Sequence, residues 1–397
     1  MKHSFILMCL VASFIGTNLL AQGINTRTPS LDQMLRPWEA GPLTLDEFQG
    51  KAKADTTIYN FGYTTRLTRE RQKIGNTTYN YPKFISYFDQ TESWINPRFR
   101  NDAMLQFNQN IFDLVELYTR RATIDYNMQK TYSREAISMK EGTHYIDQKI
   151  GPEEVQYFYR RELQKKVDEM EVDTRKGTDA SKLPYYAADI ALDLERTYFD
   201  PEKAIENATT GLTGELYIGA SASFPKSDYF TSAYGINMGL SFGYNRHLWS
   251  FDMSFGFTSD AKQDIETSKG WILKDDDINY LQGYLTYAFC NKRTSYIQTF
   301  PFAGIGVHEF SLPKENKDDD NDRPTKTGFS LCAGMMFDII LQRNVGINPN
   351  FSNNKADVTY HAIRIKPYFS MTRYNDLGWN PAINLCITYN FGGYSLK

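Results

Sequence analysis

From Gly211 onward the chain alternates apolar and polar residues at every second position, and this period restricts what it can build more than any other feature. In the last segment Ile383, Leu385, Ile387, Tyr389 and Phe391 alternate with Asn384, Cys386, Thr388 and Asn390. Successive side chains of a strand point to opposite faces, so one face is apolar and the other polar. A half-buried sheet gives the same pattern. Repetition with one polarity, with Gly and Ser on the polar side, predicts instead a barrel whose outside meets lipid and whose narrow inside is polar.

Candidate strands lie near residues 212–224, 235–245, 248–258, 279–290, 295–311, 328–341, 360–373 and 381–392, about eight in all. In the second, Ile236, Met238, Leu240, Phe242 and Tyr244 alternate with Asn237, Gly239, Ser241 and Gly243. In the third, Trp249, Phe251, Met253, Phe255 and Phe257 alternate with Ser250, Asp252, Ser254 and Gly256. The sixth sets Phe329, Leu331, Ala333, Phe337 and Ile339 against Ser330, Cys332, Gly334 and Asp338. The fifth is ambiguous, because Phe300 and Phe302 share a face with Gly304 and Gly306. Connections after the second and fourth strands are tight, whereas Ser259–Ile278 and Pro313–Thr327 are long and polar. In these features the C-terminal half resembles bacterial outer-membrane β-barrel proteins, which join strands by short periplasmic turns and longer outer loops. An even strand count leaves both ends of the barrel on the periplasmic side. The stretch Gln342–Thr359 is long for such a turn, and Val345–Phe351 reads as further strand, so ten strands stay open as the alternative.

The polar face carries Glu215, Asp252, Asp338, Arg364 and Lys366. An eight-stranded interior is only wide enough for side chains, and an unpaired buried charge is costly. The expectation is therefore a paired plug. The alternatives are a small-solute channel lined by these charges and a barrel-embedded lipid-modifying hydrolase. Against the latter, the strand histidines are His308 and His361, and alternation puts His361 on the lipid face. The acidic run Asp318–Asp320, Asn321, Asp322 has the alternating oxygens of a calcium loop without its Gly and distal Glu. A solvated outer loop is the plainer expectation, with calcium binding left open.

The rest of the chain sets bounds. A length of 397 residues suggests two domains. A net charge of −3 indicates no nucleic-acid partner. The mean hydropathy of −0.52 argues against a helical membrane bundle. Met1–Gln22 has a short basic start (Lys2, His3), an apolar core from Phe5 to Ile15 and a small residue at Ala21, the pattern of a secretory signal peptide cut after Ala21. Cys9 lies inside that apolar core after Met8, where a lipid-anchor signal would have a small residue, so no anchor is expected. Cys290, Cys332 and Cys386 fit small strand positions, with one disulfide at most.

Residues 22–210 predict a periplasmic α+β domain, and 211–397 an antiparallel transmembrane barrel. After the ordered opening Trp38–Gly50, alternating stretches at Thr56–Thr68 and Thr77–Tyr87 predict strands. Helices are predicted at Asn101–Asp125, Pro152–Val172 and Tyr185–Tyr198. In the first, Met104, Phe107, Ile111, Leu114, Val115, Tyr118 and Ala122 recur every three or four residues and form one buried face. The second is charged over most of its surface, as a solvated helix would be.

Pro42, Leu43, Thr44, Leu45, Asp46, Glu47, Phe48 and Gly50 are similar to the Leu-Thr-Trp-x-Asp-Phe-x-Gly start of a bacterial domain of unknown function grouped with secreted zinc-dependent proteases. Gln109, Phe112, Asp113, Glu116, Leu117, Tyr118, Arg120 and Arg121 resemble its helix, which reads His-Glu-Gln-x-His-Phe-Asp and then Glu-Leu-Tyr-x-Arg. The resemblance spans residues 35–175 and implies a zincin-like fold. Such a helix needs imidazoles at i and i+4 with a carboxylate beside the first. Phe107 and Ile111 stand at the imidazole positions and Asn108 at the carboxylate position, and none of them can do this chemistry. His144 is the one histidine in the mature soluble half. The expectation is a degenerate domain with no cofactor, no metal and no catalytic residue. Asp113, Glu116, Arg120 and Arg121 are candidates for a partner-binding face, although a polar helix face with i,i+4 pairs such as Glu116 to Arg120 is the plainer expectation. The favoured function is a non-enzymatic outer-membrane anchor, with lipid around the barrel and a periplasmic protein or envelope component as partner.

Overall fold

The computed structural model describes residues 34–52, 57–128, 151–313, 323–349 and 355–397. The leader Met1–Ala21, His144 and the acidic run Asp318–Asp322 lie outside the described residues.

The first part of the chain holds short strands β1 (Leu35–Pro37) and β2 (Tyr59–Asn60), a long hairpin of β3 (Tyr63–Ile74) and β4 (Thr77–Asp89), and β5 (Trp94–Ile95). Among the described residues four helices follow: α1 (Asp102–Asn127), α2 (Pro152–Asp173), α3 (Leu183–Arg196) and the short α4 (Pro201–Ile205). Asn101 caps α1, its side chain accepting from the Met104 amide at 2.9 Å. Pro152 opens α2, where a missing N–H costs nothing. The remaining strands are β6 (Thr210–Pro225), β7 (Ala233–Tyr244), β8 (His247–Asp260), the small pair β9 (Ile265–Thr267) and β10 (Gly270–Ile272), β11 (Asp277–Phe289), β12 (Lys292–Arg293), β13 (Ile297–Ser311), β14 (Thr325–Ile347), β15 (Ala356–Tyr374) and β16 (Gly378–Leu396).

The chain forms two compact units that do not divide at residue 210. One comprises residues 1–65, 86–116 and 166–192, the other 66–85, 117–165 and 193–397. In the first unit β1 pairs with the end of β4, and β2 with β5. Its core is a cluster of rings from Phe48, Phe61, Phe88 and Phe112, with centroids 5.1–6.0 Å apart.

In the second unit β6, β7, β8, β11, β13, β14, β15 and β16 pair antiparallel in that order, and β16 returns to β6, so the ring closes. A closed ring leaves no open sheet edge. Burial inverts the usual arrangement of a water-soluble barrel. Ile236, Leu240, Phe242, Trp249, Phe251, Ile305, Val307, Leu331, Ile383 and Phe391 are exposed outward, while Asn237, Ser241, Ser250, Asp252, Ser330, Asn384 and Asn390 are buried inward. Small inward residues make room for inward rings. A Cβ on Gly256 would lie 1.5 Å from the Tyr280 ring, and one on Gly392 2.6 Å from the Tyr360 ring.

On β13 the face that reads as ambiguous in sequence points inward. Phe300 and Phe302 are buried, and Pro301, Ala303, Ile305 and Val307 form the outer face. The residues at 342–347 are not a separate strand. They continue β14 past its last pair with β13 (Ile297 with Ile339), and there β4 takes the place of β13, pairing in parallel from Arg343 with Thr77 to Gly346 with Asn80. The tip of the β3–β4 hairpin is tied down by Asn76, whose side chain donates to the Ser295 carbonyl at 2.8 Å and the Ile340 carbonyl at 3.1 Å. At this end Tyr79, Tyr81, Ile340, Val345, Tyr360, Tyr394 and Leu396 form an apolar cluster together with Phe199 and Ile205. At the other end Phe230, Ile265, Ile272, Ile278, Tyr280, Phe310 and Tyr374 form a second cluster.

Candidate functional site

Strand alternation brings Glu215 of β6, Asp252 of β8, Asp338 of β14 and Arg364 and Lys366 of β15 together inside the barrel, all of them buried. Arg364 is the hub. Its Nε and Nη2 donate to the two oxygens of Asp338 at 2.7 and 2.8 Å, and Nη2 also donates to Glu215 at 2.6 Å. The planar fork of an arginine suits such two-point binding. Tyr360 donates its hydroxyl to the other Glu215 oxygen, Asn390 donates to Asp338 at 3.3 Å, and the Tyr217 ring lies 5.0 Å below the guanidinium. One strand position on, Lys366 donates to Asp252 at 2.8 Å, and the same carboxylate accepts from Tyr217 at 2.7 Å and Thr286 at 3.4 Å. Lys366 also sits 4.5 Å from the Phe302 ring.

Arg364 with Asp338 and Glu215, and Lys366 with Asp252, thus form two buried ion-paired groups, which Tyr217 joins with its ring at the guanidinium and its hydroxyl on Asp252. Nη1 of Arg364 has no hydrogen-bond partner among the described residues, and removing any one ionic partner would leave another buried charge uncompensated. Above it lies an apolar layer of Leu248, Tyr284, Phe300, Phe302, Met336 and Tyr368. Sequence parity locates the charges and places Asn390 on the inner face, but misses Tyr217 and Tyr360, which take part in the network. Tyr217 shares its face with Glu215 and Tyr360 with Arg364, so the signal was present.

His308 points inward, where Tyr374 lies 2.9 Å from Nδ1 and Gln282 3.2 Å from Nε2. His361 is on the outer face, with the Tyr389 hydroxyl at 2.5 Å. His247, which reads as part of a turn, is the first residue of β8 and lies 2.6 Å from the Tyr287 hydroxyl. Cys290, Cys332 and Cys386 are buried and form no disulfide among the described residues.

In the helical region the two stretches that carry the protease-like resemblance meet. Gln109 accepts from the Leu43 amide at 2.7 Å, and Asp113 accepts from the Trp38 indole at 2.7 Å and from Gln109 at 2.8 Å. Phe107 is fully buried, edge-on to the Tyr59 ring at 5.1 Å. It lies against Gly177, where a Cβ would come within 2.7 Å of the ring. Ile111 is buried as well, and Asn108 turns its amide back to the Met104 carbonyl at 2.8 Å. Among the described residues no group of three or more His, Cys, Asp or Glu side chains is gathered as a metal site.

The four residues expected on a partner-binding face are each engaged within the chain. Glu116 is buried and accepts from the Ser86 hydroxyl at 2.6 Å. Arg120 donates to the Leu194 carbonyl at 3.0 Å, Arg121 is paired with Asp193 at 2.7 Å, and Asp113 is held as described. Burial of Asp113 raises its pKa above the usual carboxylate value, opposed by the bonds from Trp38 and Gln109. Each of these side chains fastens the helix to its own surroundings, which helical spacing alone cannot distinguish from a free polar face.

No protein-family model matches the chain, and no curated protein does. Among solved structures it is similar to Neisserial surface protein A, with 8% identity over 45% of this chain and 96% of that one, at a TM-score of 0.28. The attachment invasion locus protein Ail of Yersinia pestis matches with 15% identity over 47% and 99% at 0.25. The outer membrane protein OprG of Pseudomonas aeruginosa matches with 13% identity over 48% and 98% at 0.23. At such scores the likeness carries no argument, and the strand pairings stand on their own.

Proposed function

We propose that the chain is a non-enzymatic anchor of the bacterial outer membrane. Its eight-stranded barrel, residues 211–397, is closed to solutes and holds a periplasmic α+β domain, residues 22–210, that has lost the chemistry of the zinc proteases it resembles. The observation that carries this reading is the inverted barrel, apolar outside and filled inside. Lipid suits its outer face, where water would leave a large apolar surface uncovered. The interior carries ion-paired side chains and buried apolar clusters, which supports a filled lumen. Both ends of the ring, Thr210 and Leu396, lie on the side of the tight turn Tyr244–His247, which is the periplasmic side in this class.

A signal peptide cut after Ala21 would deliver the chain to that side. With Phe107, Asn108 and Ile111 at the ligand positions, the periplasmic domain is left with binding as its task, toward a periplasmic protein or another envelope component.

Separation of inner and outer membranes, followed by metal analysis of the purified chain, tests the reading. The chain is expected in the outer-membrane fraction without stoichiometric zinc and without peptide cleavage. Recovery as a soluble protein, or bound zinc together with cleavage, would overturn it.

A further inference from the structure

The tight-turn end of the barrel is rimmed by cations that have no acidic partner. Arg246 in the β7–β8 turn, Lys292 after β11, and Arg71 and Lys73 on β3 are all exposed and make no ion pair among the described residues. Other cations at this end are engaged. Arg293 donates to the Thr210 hydroxyl at 2.5 Å, Arg293 and Arg343 lie over the Tyr394 ring, and Lys397 lies over that of Tyr244. Carboxylates nearby are engaged too: Asp357 accepts from Asn348, and Glu202 from Tyr79. The opposite end mixes both signs, with Asp264, Glu266, Asp275 and Asp276 interspersed with Lys262, Lys269 and Lys274 on its exposed loops.

The free cations adjoin the apolar wall. Asn76 fixes the hairpin tip to Ser295, and the next two residues, Tyr296 and Ile297, are exposed on the outer face of the barrel. At about 3.3 Å per residue, Lys73 lies about 10 Å along β3 from that tip and Arg71 about 17 Å, so Arg71 acts on the headgroups through its field and not by contact. A headgroup layer of about 5–7 Å beside the hydrocarbon brings Lys73 and the two turn residues within reach of lipid phosphates. Charges so placed act over roughly a Debye length of 8–10 Å.

Resting on the membrane reading above, we propose that Arg71, Lys73, Arg246 and Lys292 form a binding rim for anionic phospholipid headgroups in the leaflet that borders the tight turns. The rim selects phosphate-bearing lipids with net negative charge over zwitterionic ones, and fixes the depth and tilt at which the barrel sits. Continuity with the lipid-facing wall and the lack of counter-charges both favour a lipid over a protein. A plainer role for Arg71 and Lys73 is to block strand addition at the open edge of β3.

Spin-labelled lipids separate these outcomes. The full chain is reconstituted in phosphatidylcholine vesicles containing spin-labelled phosphatidylcholine or phosphatidylglycerol, and the motionally restricted fraction is measured for each. Phosphatidylglycerol is expected to associate several-fold more strongly, with the preference falling as salt is added. The variant Arg71→Gln, Lys73→Gln, Arg246→Gln, Lys292→Gln should lower that preference by about fivefold or more, while restricting phosphatidylcholine as before. Equal association of the two lipids in the unaltered chain would overturn the proposal, and that comparison needs no variant. A variant that self-associates with its lipid preference intact would assign the cations to edge protection instead. If neither lipid shows a restricted component, it is the membrane reading that fails.

Discussion

At the scale of single residues, Arg364 carries the largest risk in the barrel. It serves Asp338 and Glu215 at once, so Arg364→Met would leave two buried carboxylates without their cation. The expected cost is about 3–5 kcal/mol, read from urea unfolding in detergent micelles. Replacing Arg364, Asp338 and Glu215 together by apolar residues of similar volume should cost less than the single change. Phe107→Ala should cost about 3–5 kcal/mol in the same assay, because the ring fills space against Gly177 and Tyr59. Asp113 gives a pH signature. Its pKa is raised in the folded protein by burial, so its contribution is fully present below the unfolded value near 3.8 and is lost as pH rises through the folded value. Thermal melts of Asp113→Asn should therefore show less gain on acidification than those of the unaltered chain. The charged interior was legible because parity along a strand assigns a face. Tyr217 and Tyr360 share those faces but carry no charge to mark them, although in a lumen this narrow a ring is good filling. The partners of Asp113, Glu116, Arg120 and Arg121 were not legible, since periodicity shows which side is polar and not what lies against it.

At the scale of elements, helices and strands follow the apolar period closely. α1 runs from Asp102 to Asn127 where the stripe predicts Asn101–Asp125, and α2 and α3 end within two residues of their expected positions. The parallel pairing of β4 with β14 had no sequence signal, because it joins segments whose side chains show no shared period. Asn76 is its anchor. Asn76→Ala would strip the hydrogen bonds from two carbonyls and should cost about 1–3 kcal/mol, measured as faster proteolysis of the β3–β4 hairpin. The stretch after Ile340 stayed open between a connection and further strand for a related reason. A long turn and an extended strand pair look alike until a third strand is known to cover them. Gly256→Ala tests the lumen at this scale. Its Cβ would enter the Tyr280 ring, so strands β8 and β11 could not keep their register without moving that ring, and refolding yield of the barrel in detergent should drop sharply.

For the whole molecule, two-residue alternation foretold the barrel and its polarity, and turn lengths foretold which end holds the ring's termini. The compact units were less legible. Residues 66–85 and 117–165 group with the barrel residues rather than with their neighbours in sequence, since grouping depends on tertiary contacts that local pattern does not encode. The account as a whole turns on a filled barrel standing in a bilayer. Planar-bilayer recording on the purified full chain, with insertion verified by protease protection of the β-strands, tests this most directly. A closed anchor predicts protected strands and no steady current at any protein concentration. A steady open current that scales with inserted protein would contradict it and make the charged lumen a conducting path.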